Sequence, residues 1–159
     1  MNRKYTREEY IEKCKLIYRF FPDAAITTDI IAGFCGETEE DFNQSLSIID
    51  EVGFARVHAF AFSPREGTVA FKLKDIDAKI KSERLHKLLS VAKAAEERYI
   101  KSFLGKNLSV IFEETDGEYS WGYSQNYIKI YAKNIIQSGS ICNIVATQLY
   151  KDGAIATLI

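Results

Sequence analysis

Residues 26–42 read ITTDIIAGFCGETEEDF, and this stretch organises the fold. Ile26 to Ala32 is rich in β-branched residues and apolar after Asp29, which suits a strand buried on both faces, as in a parallel sheet. Gly33 and Gly36 allow a tight turn and a close backbone approach. Thr38 is then a natural N-cap, with Glu39, Glu40 and Asp41 in the first helical turn, where negative charge suits the positive end of the helix dipole. Strand, glycine turn and helix start follow one another. In an α/β protein such a turn lies at the carboxyl end of a strand, where ligands bind. An ordinary βα connection without a ligand fits the same residues.

Outward from this stretch, the 159 residues suffice for one ordinary domain or two small ones. There are 21 basic and 22 acidic residues, so any nucleic-acid contact has to come from a local patch. The last part is no more basic than the first: residues 103–159 hold Lys106, Lys129, Lys133 and Lys151 against Glu113, Glu114, Asp116, Glu118 and Asp152. No apolar run reaches membrane-spanning length and MNRKYTREEY is no signal peptide, so a cytoplasmic protein without a membrane partner is expected. Cys14, Cys35 and Cys142 share no metal-ligand spacing and read as free packing thiols.

Upstream, residues 6–21 predict an amphipathic helix opened by a Thr6/Glu9 capping box, with Tyr10, Cys14, Ile17, Tyr18 and Phe21 on its buried face. Downstream, a helix over Glu39–Val52 buries Phe42, Leu46, Ile49 and Val52 and stops at Gly53. A strand over Ala55–Phe62 follows, with Val57, Ala59 and Ala61 on one face and His58, Phe60 and Phe62 on the other. His58 reads there as a core or supporting histidine. The run Ser63-Pro64-Arg65-Glu66-Gly67-Thr68 forms turns on the same side of the sheet as Gly33–Glu37. Arg65 is placed to pair with a ligand carboxylate, or with Glu37 or Glu66. A long helix over Ala78–Phe103 buries Leu85, Leu88, Ala92, Ala95, Tyr99 and Phe103 and presents Lys79, Lys81, Arg84, Lys87, Lys93 and Arg98 on a solvated, salt-bridged face.

At Gly105 the periodicity changes from helical to alternating. Residues 107–114, 119–124, 127–132, 140–150 and 153–159 predict five short antiparallel strands joined by Asp-Gly and Ser-Gly turns, a small barrel of the OB type. The boundary falls between 103 and 104. Trp121, Tyr123, Tyr127 and Tyr131 divide between barrel packing and an outward stacking platform for unpaired bases, with Asn126 and Lys129 beside it.

Taken in order, DIIAGFCGETEEDF, GFARVHAFAFSPREGT, a long basic helix and a barrel beginning GKNLSVIFEE resemble the C-terminal part of a tRNA methylthiotransferase. That is the radical S-adenosylmethionine family ending in a TRAM domain. MNRKYT and NYIKIY resemble most its threonylcarbamoyladenosine branch. The resemblance implies a fold of α/β plus small all-β class: residues 1–103 as the C-terminal portion of a partial (β/α) radical-SAM barrel, and 104–159 as an OB-like TRAM barrel. It implies that Asp29, Gly33, Gly36, Glu37 and Arg65 border the S-adenosylmethionine pocket. Tyr123, Asn126, Tyr127 and Lys129 would bind RNA, the anticodon stem-loop of tRNA, and the family's product is a methylthio group on a modified adenosine beside the anticodon. It further implies two 4Fe–4S clusters in the full enzyme. The family's Cys-x3-Cys-x2-Cys motif is absent here, the domain binding the second cluster is missing, and Cys35 replaces the usual proline of GFPGET. The expectation is a fragment that needs the N-terminal part of the enzyme, holds no cluster and does not catalyse alone. A stand-alone RNA-binding module is the rival expectation, and a partner-dependent product with no independent role is a third.

Overall fold

Two threonines start the first two helices of the computed structural model, which describes residues 3–159. Of the MNRKYT opening, Met1 and Asn2 lie outside the described residues. Helix α1 spans Arg7–Phe20, capped by Thr6 with Glu9 returning to the Thr6 N–H. Helix α2 spans Glu39–Val52 under the same reciprocal arrangement of Thr38 and Asp41, and ends at Gly53 with φ 72°. Each N-cap is worth about 1 kcal/mol, and both follow from local sequence.

Strands β1 (Thr27–Ala32) and β2 (Arg56–Ala61) flank α2 and pair in parallel, with Asp29 opposite His58 and Ile31 opposite Phe60. Helix α3 spans Ala78–Lys101, after a short 3-10 turn at Ala70–Lys72. Ile11 and Cys14 of α1, Phe42, Ile49 and Val52 of α2, Ala32 and Val57 of the strands, and Leu88, Ala92 and Ala95 of α3 form one core.

Three sequence expectations change here. Strand β1 is buried on one face only: Thr28, Ile30 and Ala32 turn towards the core, while Thr27 and Asp29 are exposed. The helices cover one side of the pair, and no further strand joins it among the described residues. For the same reason His58 is exposed instead of filling a core. In α1 the buried side is Ile11 and Cys14, with Tyr10 and Tyr18 half-buried; Ile17 and Phe21 are exposed together with Leu16 and Phe20. Ile11, Cys14, Tyr10 and Tyr18 make the face turned to the core, so the apolar stripe is only partly used.

The chain divides into a first unit ending at Glu96 and a second from Glu97 to Ile159. In the second, β3 (Asn107–Thr115), β4 (Ser120–Ser124), β5 (Lys129–Ala132), β6 (Ile141–Tyr150) and β7 (Gly153–Leu158) close a barrel in the order β3-β4-β5-β7-β6. Closure leaves no open sheet edge. All pairings are antiparallel except β5–β7, which is parallel and corrects the all-antiparallel expectation. Val110, Phe112, Ile130, Ile144 and Ala154 fill the interior, and Ile100 and Phe103 join the same cluster. At Gly122 β4 approaches β3 closely: a Cβ there would stand 1.9 Å from the Ile111 carbonyl oxygen. Among the described residues no helix is long and apolar enough to cross a membrane.

Candidate functional site

In the first unit, the turn after β1 is held from α3. Glu37 Oε2 accepts a hydrogen bond from the Gly33 backbone N–H at 2.9 Å and from Arg84 Nη1 at 2.7 Å. The same Nη1 donates to the Glu37 carbonyl at 3.0 Å, and Nη2 reaches Glu39 at 3.3 Å. Arg84 is buried, whereas its sequence context had put it on a solvated face. Its carbon stem and fork are accommodated because it lies four residues before the fully buried Leu88, hence on the buried stripe. Helical spacing from Leu88 was the signal that could have found it.

Lys81, one turn earlier, packs its carbon stem against Gly33. Gly33 has φ 77°, and a Cβ there would meet Lys81 Cγ at 2.4 Å. The Lys81 ammonium is held 2.7 Å from Asp75. Gly36, at φ 79°, faces open space.

The residues that flank the second loop, Phe62 and Ala70, meet this turn. Phe34 and Phe62 meet edge to face with centroids 4.9 Å apart, and the Cys35 thiol points at the Ala70 carbonyl at 3.5 Å. Of the five pocket residues expected from sequence, Gly33, Gly36 and Glu37 share the turn. Asp29 is exposed on the open sheet face beside His58. Arg65 is exposed in the second loop, and Glu37 pairs with Arg84 rather than with it.

The second unit carries a cluster of aromatic and cationic side chains in mutual contact around the buried Tyr131. Trp121 and Tyr123 on β4 contact each other edge to face, 6.3 Å between centroids. Lys129 Nζ on β5 stands 4.2 Å from the Trp121 centroid and 3.2 Å from the Asp152 carboxylate. Asp152 also accepts from the Tyr131 hydroxyl. Tyr150 packs against both Tyr131 and Tyr119, and Lys151 Nζ lies 5.2 Å from the Tyr150 centroid. Burial pushes the Asp152 carboxyl up, but the hydrogen bonds from Tyr131 and Lys129 outweigh it and leave it below the usual value. Burial likewise lowers Lys129, and its bonds to Tyr131 and Asp152 outweigh that and raise it. Both groups are therefore charged at neutral pH.

Tyr127 is 80% exposed and adopts φ 59°, a left-handed conformation uncommon for a bulky residue. It sits in the turn before β5 and not inside a strand, as the sequence had suggested. Asn126 is buried beneath it and accepts from the Ser124 hydroxyl at 2.6 Å. Ser124 Oγ in turn accepts from the Ile128 N–H at 3.0 Å. Asn126 thus braces the turn that presents Tyr127. Tyr150, Lys151 and Asp152 were missed because they lie twenty residues further along the chain; their Asp-Gly turn was the available signal.

Iron–sulfur clusters take three or four thiolates from one place. Here Cys14 lies in the α1 core, where burial pushes its thiol up; Cys35 is in the β1–α2 turn and Cys142 on β6. These residues do not fit such a cluster, and no group of three or more His, Cys, Asp or Glu side chains converges for a metal among the described residues.

Comparison with known proteins decides the relationship. The chain is 42% identical over 120 residues to the tRNA-2-methylthio-N(6)-dimethylallyladenosine synthase of Bdellovibrio bacteriovorus, covering 75% of this chain and 26% of that protein. The chain is a homologue of the tRNA methylthiotransferases. It matches the like-named synthase of Oceanobacillus iheyensis at 41% over 129 residues, 79% of this chain and 25% of that one. With the threonylcarbamoyladenosine tRNA methylthiotransferase of Bacillus subtilis it shares 34% over 159 residues, 96% of this chain and 35% of the relative. The chain thus spans between a quarter and about a third of the length of these methylthiotransferases. No protein-family model matches it.

Proposed function

We propose that this chain is the C-terminal part of a tRNA methylthiotransferase. The observation that carries the reading is the 34% identity to the Bacillus subtilis enzyme along 96% of the chain. In this reading the first unit contributes the last two strands of a partial (β/α) radical-SAM barrel. The unpaired edge of β1 and the exposed Leu16, Ile17, Phe20 and Phe21 of α1 meet the preceding part of the enzyme. Exposed apolar side chains and a free strand edge are what such a junction requires.

The carboxyl edge of β1 and β2 borders the pocket for S-adenosylmethionine and substrate. Asp29 and Arg65, both exposed, and the open side of Gly36 face the ligand; Gly33 and Glu37 give the turn its shape. When bound with its clusters, S-adenosylmethionine supplies the radical chemistry of methylthio transfer. The 4Fe–4S clusters belong to the rest of the enzyme, since the cysteines here are dispersed. This chain alone does not catalyse.

The barrel is a TRAM domain of OB topology, and it holds the anticodon stem-loop. Its strand order, first-second-third-fifth-fourth, supports that assignment, as does the position of the aromatic cluster on the second and third strands and the fourth-to-fifth turn. Tyr127 stacks on an unpaired base with Tyr123 beside it, Asn126 braces the turn, and Lys129 contacts phosphate. We assign the threonylcarbamoyladenosine branch from MNRKYT and NYIKIY. The dimethylallyladenosine branch is the second reading, favoured by the 42% identity to the Bdellovibrio protein.

The test is fluorescence anisotropy of this chain with an anticodon stem-loop RNA. Saturable binding, weakened by salt and by Tyr127→Ala, supports the assignment of the barrel. Absence of binding at low salt overturns it.

A further inference from the structure

We propose that Arg84 and Lys81 of α3 are positioning residues for the Gly33–Glu37 turn, fixing it in the conformation that faces S-adenosylmethionine. This rests on the reading that the turn borders that pocket.

Three features of the contact point the same way. First, the pair is expensive for what it gives in stability. The Arg84 and Glu37 side chains are 10% and 8% exposed, and Arg84 Nε is buried with no hydrogen-bond partner. Replacing a buried ion pair by apolar residues of similar volume is often neutral or stabilising, so stability alone does not account for this one.

Second, the geometry is that of a fork. Arg84 binds the side chain and the carbonyl of Glu37 through one nitrogen and Glu39 through the other. Glu37 then passes the constraint to the Gly33 N–H. One side chain thereby fixes both ends of a five-residue turn and the first residue of α2. A planar guanidinium can do this, and an ammonium cannot.

Third, Lys81 fills the space that Gly33 leaves by lacking a Cβ, and Asp75 holds its ammonium. The glycine is therefore needed on the α3 side for Lys81. The turn's other glycine, Gly36, meets nothing on its own Cβ side, and that is the side left for a ligand.

The experiment compares hydrogen exchange and thermal melting of the full chain with those of Glu37→Leu/Arg84→Met, Glu37→Gln and Arg84→Lys. The amide oxygen of Glu37→Gln still accepts from Gly33. Expected are exchange at least about tenfold faster at 33–37 in the Leu/Met pair with an unchanged melting temperature, recovery in Glu37→Gln, and partial loss in Arg84→Lys. Unchanged exchange at 33–37 in the Leu/Met pair overturns the proposal. So does a fall in melting temperature with faster exchange throughout the unit, which marks a structural role only.

The link to ligand is read in an enzyme made by fusing the full chain to the preceding part of the Bacillus subtilis relative, which it matches along 96% of its length. Arg84→Met is expected to raise KM for S-adenosylmethionine at least about tenfold with kcat little changed. An unchanged KM, while Arg65→Ala raises it, overturns the positioning role and leaves the pocket reading standing. If neither variant moves KM, both fall.

Discussion

The Lys129 ammonium stands 4.2 Å from the centroid of the Trp121 ring, so a cation covers that aromatic face. Trp121 is therefore a rest for the lysine rather than a surface for bases, and the aromatic most open to a ligand is Tyr127, at 80% exposure. Asp152 takes one of the lysine's three donors at 3.2 Å and Tyr131 another, which leaves one for a phosphate oxygen.

Removing that cation should act electrostatically. Lys129→Ala is expected to weaken stem-loop binding at low salt and to reduce the salt slope by about 1. Titration at several salt concentrations measures both, and an unchanged slope would show that Lys129 touches no phosphate.

Tyr127 should separate stability from binding. Its φ of 59° costs about 1 kcal/mol or more in backbone strain, which glycine does not bear. Tyr127→Gly should therefore melt no lower than the parent, yet lose about 1–3 kcal/mol of RNA binding, as for one stacked base. Equal loss of both would mean the side chain packs rather than binds.

The pH dependence follows from the Lys129–Asp152 pair. Asp152 lies below its ordinary value, so its contribution is present above about pH 4, the unfolded carboxylate range, and is lost as pH falls through the folded value. Lys129 lies above its ordinary value, so its contribution is present below about pH 10 and is lost only as pH rises through the folded value. RNA affinity should be flat from about pH 6 to 8. A step near pH 6.5 would mean that a histidine takes part.

Gly122 should tolerate nothing larger. With a Cβ placed 1.9 Å from the Ile111 carbonyl oxygen, Gly122→Ala is expected to cost about 3 kcal/mol or more, read by denaturant unfolding of the barrel. A loss under about 0.5 kcal/mol would contradict the close β3–β4 approach.

What could be read from the residues is what depends on neighbours in sequence. Thr38 and Gly53 set both ends of α2 because capping involves groups within one turn. The change of period at Gly105 announced the barrel. Arg84 lay at helical spacing from Leu88, but its charge made it read as solvated, because the partner that allows its burial, Glu37, is 47 residues away. His58 was misjudged because the exposure of a sheet's second face depends on what covers it. Burial in α1 shifted to Ile11 for a similar reason: the apolar residues outnumber those that this core takes up. Of the aromatic and cationic cluster, Trp121, Tyr123 and Lys129 were legible from β4 and β5, while Lys151 and Asp152 join it only through the β5–β7 pairing that the order of the chain conceals.

The central claim is that this chain completes a methylthiotransferase. Its most direct test replaces the matched segment of the Bacillus subtilis threonylcarbamoyladenosine tRNA methylthiotransferase by residues 1–159, in cells lacking that enzyme, with a second chimera built on the Bdellovibrio synthase. Mass spectrometry of tRNA nucleosides is then the readout. The account predicts that the methylthio group returns to threonylcarbamoyladenosine in the first chimera. A folded, stably expressed chimera that leaves that nucleoside unmodified would contradict it, and return of the product in the Bdellovibrio chimera alone would move the chain to the dimethylallyladenosine branch.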